Sequence, residues 1–188
     1  MTGRHAADAQ DGWVVRFAPL VRAGGRVLDL ACGSGRHTRL FHGLGHPVTA
    51  VDRDGTALAA LAADGIETVA ADLEDGSPWP LAAQRFAGIV VVNYLHRPLL
   101  RAILDTLECG GVLIYRTFAT GNERFGRPSN PAFLLRPGEL LDAVAGRLTV
   151  IAYEHGTVEE PRPAVVQRLC AVNDPPAAPP RVLPGGSG

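Results

Sequence analysis

A glycine turn between an apolar strand and a helix, with a carboxylate just ahead of it, constrains this chain more than any other feature. Arg26-Val27-Leu28 reads as a buried strand, with Asp29 at its end. Asp29-Leu30-Ala31-Cys32-Gly33-Ser34, closed by Gly35, carries the glycine turn, and Arg36 to Phe41 reads as the first turns of a helix. Glycine lacks a Cβ, so the backbone of such a turn can approach a ligand closely. The helix N-terminus beyond it offers unpaired N–H groups and a partial positive charge. Dinucleotide folds usually have apolar residues and then glycine where Asp29 stands. An acid there suits a ligand that carries its own cation, such as an amino group.

Two more acids fall at strand ends. Val48-Thr49-Ala50-Val51-Asp52 reads as the second strand, with Asp52 placed 17 residues after Gly35. An acid at that point can hydrogen-bond ribose hydroxyls. Asp72 follows a third apolar run, Glu67 to Ala71. This acid-glycine-acid-acid series, within roughly 13–172, resembles the class I S-adenosylmethionine-dependent methyltransferases. The resemblance implies an α/β fold: a single doubly wound, mostly parallel, seven-stranded sheet with helices on both faces. It also implies S-adenosylmethionine as cofactor. Gly33 and Gly35 would then support its methionine part, with Ala31 in the same turn, and Asp29 would lie near its amino group. Asp52 would take the ribose hydroxyls, with Arg53 beside it. Asp72 and Leu73 would flank the adenine, and Asn93 would complete the cofactor side. One departure is Ala31, where the family often has glycine. An alanine fits that position if its φ stays below zero.

The remaining segments extend the strand–helix alternation. Trp13 and Phe17, four apart, share a face of a first short helix that packs on the core or touches the cofactor. Asp54 can cap a helix carrying Ala57, Leu58, Leu61 and Ala62, which Gly65 ends. Phe86 to Val92 is apolar and β-branched enough for a central strand. Pro98 to Leu107 reads as a helix stopped by Gly110-Gly111, and Val112 to Phe118 as strand five. The runs 148–153 and 164–172 have no helix between them and suggest a hairpin at the sheet edge. The expected organisation is a flexible arm (1–11), one domain (12–173) and a disordered tail rich in proline and glycine (174–188).

Composition narrows the chemistry. All 18 basic residues are arginine, so a P-loop lysine, a Schiff-base lysine and the lysine of a short-chain dehydrogenase are excluded. A formal charge of −1 argues against a general polyanion binder. Cys32, Cys109 and Cys170 make neither a metal pattern nor a disulfide framework. No run is long enough to span a membrane and no signal peptide opens the chain, so the expected location is cytoplasmic.

Methyl chemistry would sit where strand four ends, at Asn93-Tyr94-Leu95-His96. His96 reads equally as a general base and as a cap of the next helix. Amino-directed methyltransferases often carry Asn/Asp-Pro-Pro-Tyr here, and this chain does not. The long segment Thr117 to Pro131 reads as a substrate cover because Phe118, Phe125 and Phe133 need burial. Phe118, Asn122, Arg124 and Arg127 would meet an anionic or polar acceptor. The sequence is similar here to small bacterial methyltransferases of the tellurite-resistance-like group, which implies a small-molecule acceptor. Three other functions stay open. An RNA methyltransferase would use a basic face of Arg97, Arg101, Arg116, Arg124, Arg127 and Arg136. A nicotinamide oxidoreductase would need a third glycine at Thr38. A cofactor-binding protein without catalysis would keep the acids and glycines alone.

Overall fold

The computed structural model describes residues 9–175, with Val182 and Pro184 beyond them. Its strands are β1 (Val27–Leu30), β2 (Val48–Asp52), β3 (Glu67–Ala70), β4 (Phe86–Val92), β5 (Leu107–Phe118), β6 (Thr149–Val158) and β7 (Ala164–Val172). They form one sheet in the order β3-β2-β1-β4-β5-β7-β6. Strands β1 to β5 run parallel, and β7 is antiparallel to both neighbours. The sheet is therefore doubly wound and mostly parallel. The expected edge hairpin exists, but β7 is inserted between β5 and β6, and β6 is the edge.

Alternation along the strands sends successive side chains to opposite faces. Leu28, Leu30, Ile89, Val91, Leu113 and Tyr115 pack on one face. There they meet Ile103 and Leu104 of α4 (Leu100–Asp105) and Leu140 and Val144 of α5 (Glu139–Val144). Val27, Val48, Ala50, Val90 and Ile114 pack on the other. They meet α1 (Gly12–Phe17), α2 (Arg36–Gly43) and α3 (Gly55–Ala63) through Trp13, Phe17, Phe41, Leu58 and Leu61. Trp13 and Phe17 are 3% and 1% exposed and meet edge to face at 4.7 Å, so that pair belongs to the core. Asp54 caps α3 by accepting from Thr56 and Ala57 N–H. Asp11 caps α1 through Trp13 N–H.

Strand five differs from expectation. It starts at Leu107, and Gly110-Gly111 lie within it as an irregularity opposite Phe86 and Gly88. The Asn173 amide closes this bulge by donating to the carbonyls of Leu107 and Glu108, both at 3.1 Å. The preceding helix ends at Thr106, whose hydroxyl bonds back to the Ile103 carbonyl at 2.9 Å. At the N-terminus, residues 1–8 of the expected flexible arm lie outside the described residues. Residues 9–11 are anchored: Arg36 donates to the Ala9 carbonyl, and Asp11 N–H donates to His37 Nε2 at 3.1 Å. Most of the expected disordered tail also lies outside the described residues.

Candidate active site

Strand order reverses between β1 and β4, and ligands bind at such a switch point, beyond the carboxyl ends of the strands. The turn after β1 lies there. Ala31 has φ 55°, so the condition under which alanine fits easily in place of glycine is not met. The turn must swing through the left-handed region, and alanine does so against its Cβ. Gly33 (φ 54°) is exposed, with open space where a Cβ would stand. Gly35 is different: a Cβ there would come 2.4 Å from Leu61 Cδ2. Its glycine seats the turn on α3.

The first two acids brace this turn. Asp52 accepts the Gly33 N–H at 2.8 Å and the Asp54 N–H at 2.9 Å. Asp29 is 2% exposed and accepts from the Thr38 hydroxyl at 2.6 Å. Burial pushes its carboxyl up to about 6, against the pull of the Thr38 bond. Burial likewise pushes the Cys32 thiol up to about 12, so it is an inert thiol. His37, buried beside Arg36, is pushed down to about 4 and stays neutral, as its acceptor role toward Asp11 requires.

Three cavities open along this edge. One, of about 420 Å³, is walled by Asp52, Arg53, Ala71, Asp72, Leu73 and Tyr94. A second, of about 830 Å³, takes in Asp29, Ala31, Gly33, His37, Arg116 and Arg168. A third, of about 550 Å³, lies between Arg127, Pro128, Phe133 and Arg162. All three share Asn93 and Phe118, which therefore stand at their junction.

Asn93 is held in a left-handed conformation (φ 58°). Its N–H donates to the Arg116 carbonyl at 2.9 Å, and its side-chain oxygen accepts from the Arg116 guanidinium. Tyr94 follows, its carbonyl accepting from the Tyr115 hydroxyl at 2.9 Å. Burial and the nearby Glu74 and Asp72 raise the Tyr94 phenol well above its ordinary value, so it is no base.

Other expected residues fall elsewhere. His96 walls none of these cavities; it heads the 3-10 turn Arg97–Leu99, its carbonyl accepting from Leu99 N–H. Asn122 is 2% exposed and ties the Pro128 carbonyl to the Val165 N–H, so it is a brace. Arg124 turns back to the Gly121 carbonyl and lies over Phe125. Of the three phenylalanines only Phe118 is buried, at 9%; Phe125 and Phe133 are 46% and 44% exposed. The supposed basic face is dispersed as well. Arg97 and Arg136 pair with Glu139, Arg101 with Asp105, and Arg116 with Asp11. Sequence reasoning missed Arg162, Arg168 and Phe133 as wall residues and misread Arg116. A charge set inside the apolar run 112–118 was the signal for Arg116.

Residues 27–111 match a family described as a methyltransferase domain. This stretch is a methyltransferase domain. The match covers β1 to the bulge of β5, and it bears out the class I S-adenosylmethionine-dependent resemblance. A search of the curated proteins finds no match. Among solved structures, TehB from Haemophilus influenzae is 19% identical, with a TM-score of 0.74 over 88% of this chain and 63% of its own. The chain thus spans less than two thirds of that relative. A 1,6-didemethyltoxoflavin-N1-methyltransferase from Burkholderia thailandensis, solved with 1,6-didemethyltoxoflavin and S-adenosylhomocysteine, is 23% identical. Its TM-score is 0.65, over 90% of this chain and 80% of its own. A TehB-like methyltransferase from Corynebacterium glutamicum gives 19% identity and a TM-score of 0.62, over 89% and 91%. At these identities the likeness is one of fold. No helix among the described residues is long and apolar enough to cross a membrane.

Proposed function

We propose that this methyltransferase transfers the methyl group of S-adenosylmethionine to a small-molecule acceptor that enters beside Phe118. The carrying observation is the junction at Asn93 and Phe118, where a cavity edged by acids meets one edged by aromatic rings and arginine. The cofactor side has the right donors and shape. The Asp52 oxygens already accept two N–H groups and keep lone pairs for ribose hydroxyls. Ala71 and Leu73 give an apolar wall for a flat base, with Asp72 at its rim. Gly33 offers exposed backbone, and Asp29 lies on the wall where an ammonium would stand.

The bound cofactor supplies a methyl group on a positively charged sulfur. The chain's contribution is then alignment and exclusion of water, which together can supply much of a displacement's barrier lowering. Asn93 holds the turn at the junction of the cavities, and Arg116 holds Asn93. Tyr94 is held as a phenol and His96 lies outside the cavity walls, so neither serves as a base. An acceptor that already carries a lone pair or anion needs neither of them. The dispersed arginines favour a small molecule over RNA, and Thr38, wholly buried under Asp29, stands where a nicotinamide fold needs glycine.

Calorimetry with S-adenosylhomocysteine tests the cofactor half. Binding is expected in the wild type and about tenfold weaker in Asp52→Ala, as expected when charged hydrogen bonds are lost. Absence of binding in the folded wild type would sink the reading. Release of S-adenosylhomocysteine across a panel of small acceptors separates an enzyme from a binding protein.

A further inference from the structure

Nearly every described arginine has a partner. Among the described residues, Arg53, Arg127 and Arg162 find neither a hydrogen bond, an ion pair nor a ring beneath them, and all three stand on walls of the joined cavities. Arg53 belongs to the cofactor side, next to Asp52. Arg127 and Arg162 bound the third cavity together, one from the segment between β5 and α5, the other from the β6–β7 hairpin. Among the described residues, the walls of that cavity carry these two guanidinium groups and no carboxylate. Glu160, on the same hairpin, faces the neighbouring basin. Two cations that bound one cavity repel each other and attract an anion, and guanidinium forks match planar or tetrahedral oxyanions. The rest of the wall is Phe118, Phe133 and Pro128, with Ser129 and Asn130 at the polar rim. Phe133 is held half in solvent although it is large and apolar, which suits a ring that an arriving ligand would cover.

We infer that the acceptor is a flat, apolar small molecule with one acidic group, a carboxylate or a phosphate, which Arg127 and Arg162 grip while its body lies against Phe118 and Phe133. The inference rests on the proposed methyl transfer and names the acceptor's class. It replaces Arg124 of the sequence expectation with Arg162, because Arg124 is turned to Gly121.

The test uses the full chain saturated with S-adenosylhomocysteine and three probes of one shape: 1-naphthoate, 1-naphthyl phosphate and neutral 1-naphthamide. Binding is read by calorimetry and by protein NMR shifts. At least one acid should bind about tenfold or more tightly than the amide, and Arg127→Gln and Arg162→Gln should each erase most of that preference. The tighter acid tells carboxylate from phosphate. Equal binding of acid and amide, or binding of neither, overturns the inference while S-adenosylhomocysteine binding leaves the methyltransferase reading standing. Failure to bind S-adenosylhomocysteine overturns that reading instead. Arg162 also borders the second cavity. If Arg162→Gln weakens S-adenosylhomocysteine as much as naphthoate, the residue serves the cofactor and the acidic grip is refuted.

Discussion

Asp29 is the residue whose protonation the site feels most. Its carboxyl, at about 6 in the fold against an ordinary 3.8, favours the proton because burial penalises the charge. The stability it contributes is therefore full below the ordinary value and is lost as pH rises through about 6. An ammonium beside it needs the ionised form, so affinity for S-adenosylhomocysteine should rise between about pH 5 and 7 and then level off. Asp29→Asn should bind more weakly and lose that rise. Calorimetry at stepped pH reads both, and a flat wild-type profile would leave Asp29 only the Thr38 hydroxyl. Ala31 makes a second test. Its left-handed φ costs about 1–2 kcal/mol, of which Ala31→Gly gives back part to unfolded-chain entropy. A gain of about 0.5–1 kcal/mol is expected, seen as a melting temperature higher by a few degrees. The acids at the strand ends were legible because strand ends are legible. The sign of φ at Ala31 was not, since nothing in an alanine's neighbours fixes it. Nor was the role of Gly35, which depends on where Leu61 arrives from α3.

At the scale of elements, the segment between β5 and α5 is the part least like its sequence reading. It looks like an open cover, yet it is pinned at several points. Arg97 donates to the carbonyls on either side of Phe133, to Ala132 at 2.6 Å and to Leu134 at 2.8 Å. Its Nε and Nη2 grip Glu139 at 2.6 and 2.9 Å, and Glu139 also takes the Arg136 N–H at 2.7 Å. Gln167 of β7 donates to the Arg136 carbonyl at 2.6 Å. These bonds set the depth at which Phe133 stands over the cavity. Arg97→Gln should free the segment and leave the Glu139 carboxylate with weaker partners. Arg97 is one-third exposed, so the loss is put at about 2–3 kcal/mol, below that of a fully buried pair. A lower urea midpoint and faster chymotrypsin cleavage after the exposed Phe125 or Phe133 should report it, with S-adenosylhomocysteine affinity little changed. Unchanged cleavage would mean that Arg97 does not hold this segment. None of this pairing shows in the sequence, because Arg97 and Glu139 are 42 residues apart and carry no spacing signal.

Across the whole molecule the sheet separates two tasks. The ends of β1, β2 and β3 carry Asp29, Asp52 and the cavity wall at Ala71 to Leu73, whereas β5, β7 and the hairpin carry Phe118, Arg168 and Arg162. Asn93, at the end of β4, touches both sides. That division was readable in outline, because alternating strands and helices leave few topologies and the acids follow the first three strands. The hairpin's part in the site was not, since only insertion of β7 beside β5 brings Arg162 and Arg168 to this edge. The division predicts how a shortened cover should behave. The cut must spare Asn122, whose amide joins Pro128 to Val165 and whose loss would leave a buried N–H unpaired at about 1–3 kcal/mol. Replacing Glu123 to Arg127 by two glycines removes the exposed tip and keeps that brace. S-adenosylhomocysteine affinity should stay within about twofold, because its proposed contacts lie on the first three strands. Methyl transfer to an acidic acceptor should fall about 100-fold in kcat/KM, the scale of a small misplacement of bound substrate. Cofactor calorimetry and initial rates on the same preparation decide it. Equal loss of both would make the segment a structural support for the whole edge, and normal turnover would remove Arg127 from the acceptor's contacts.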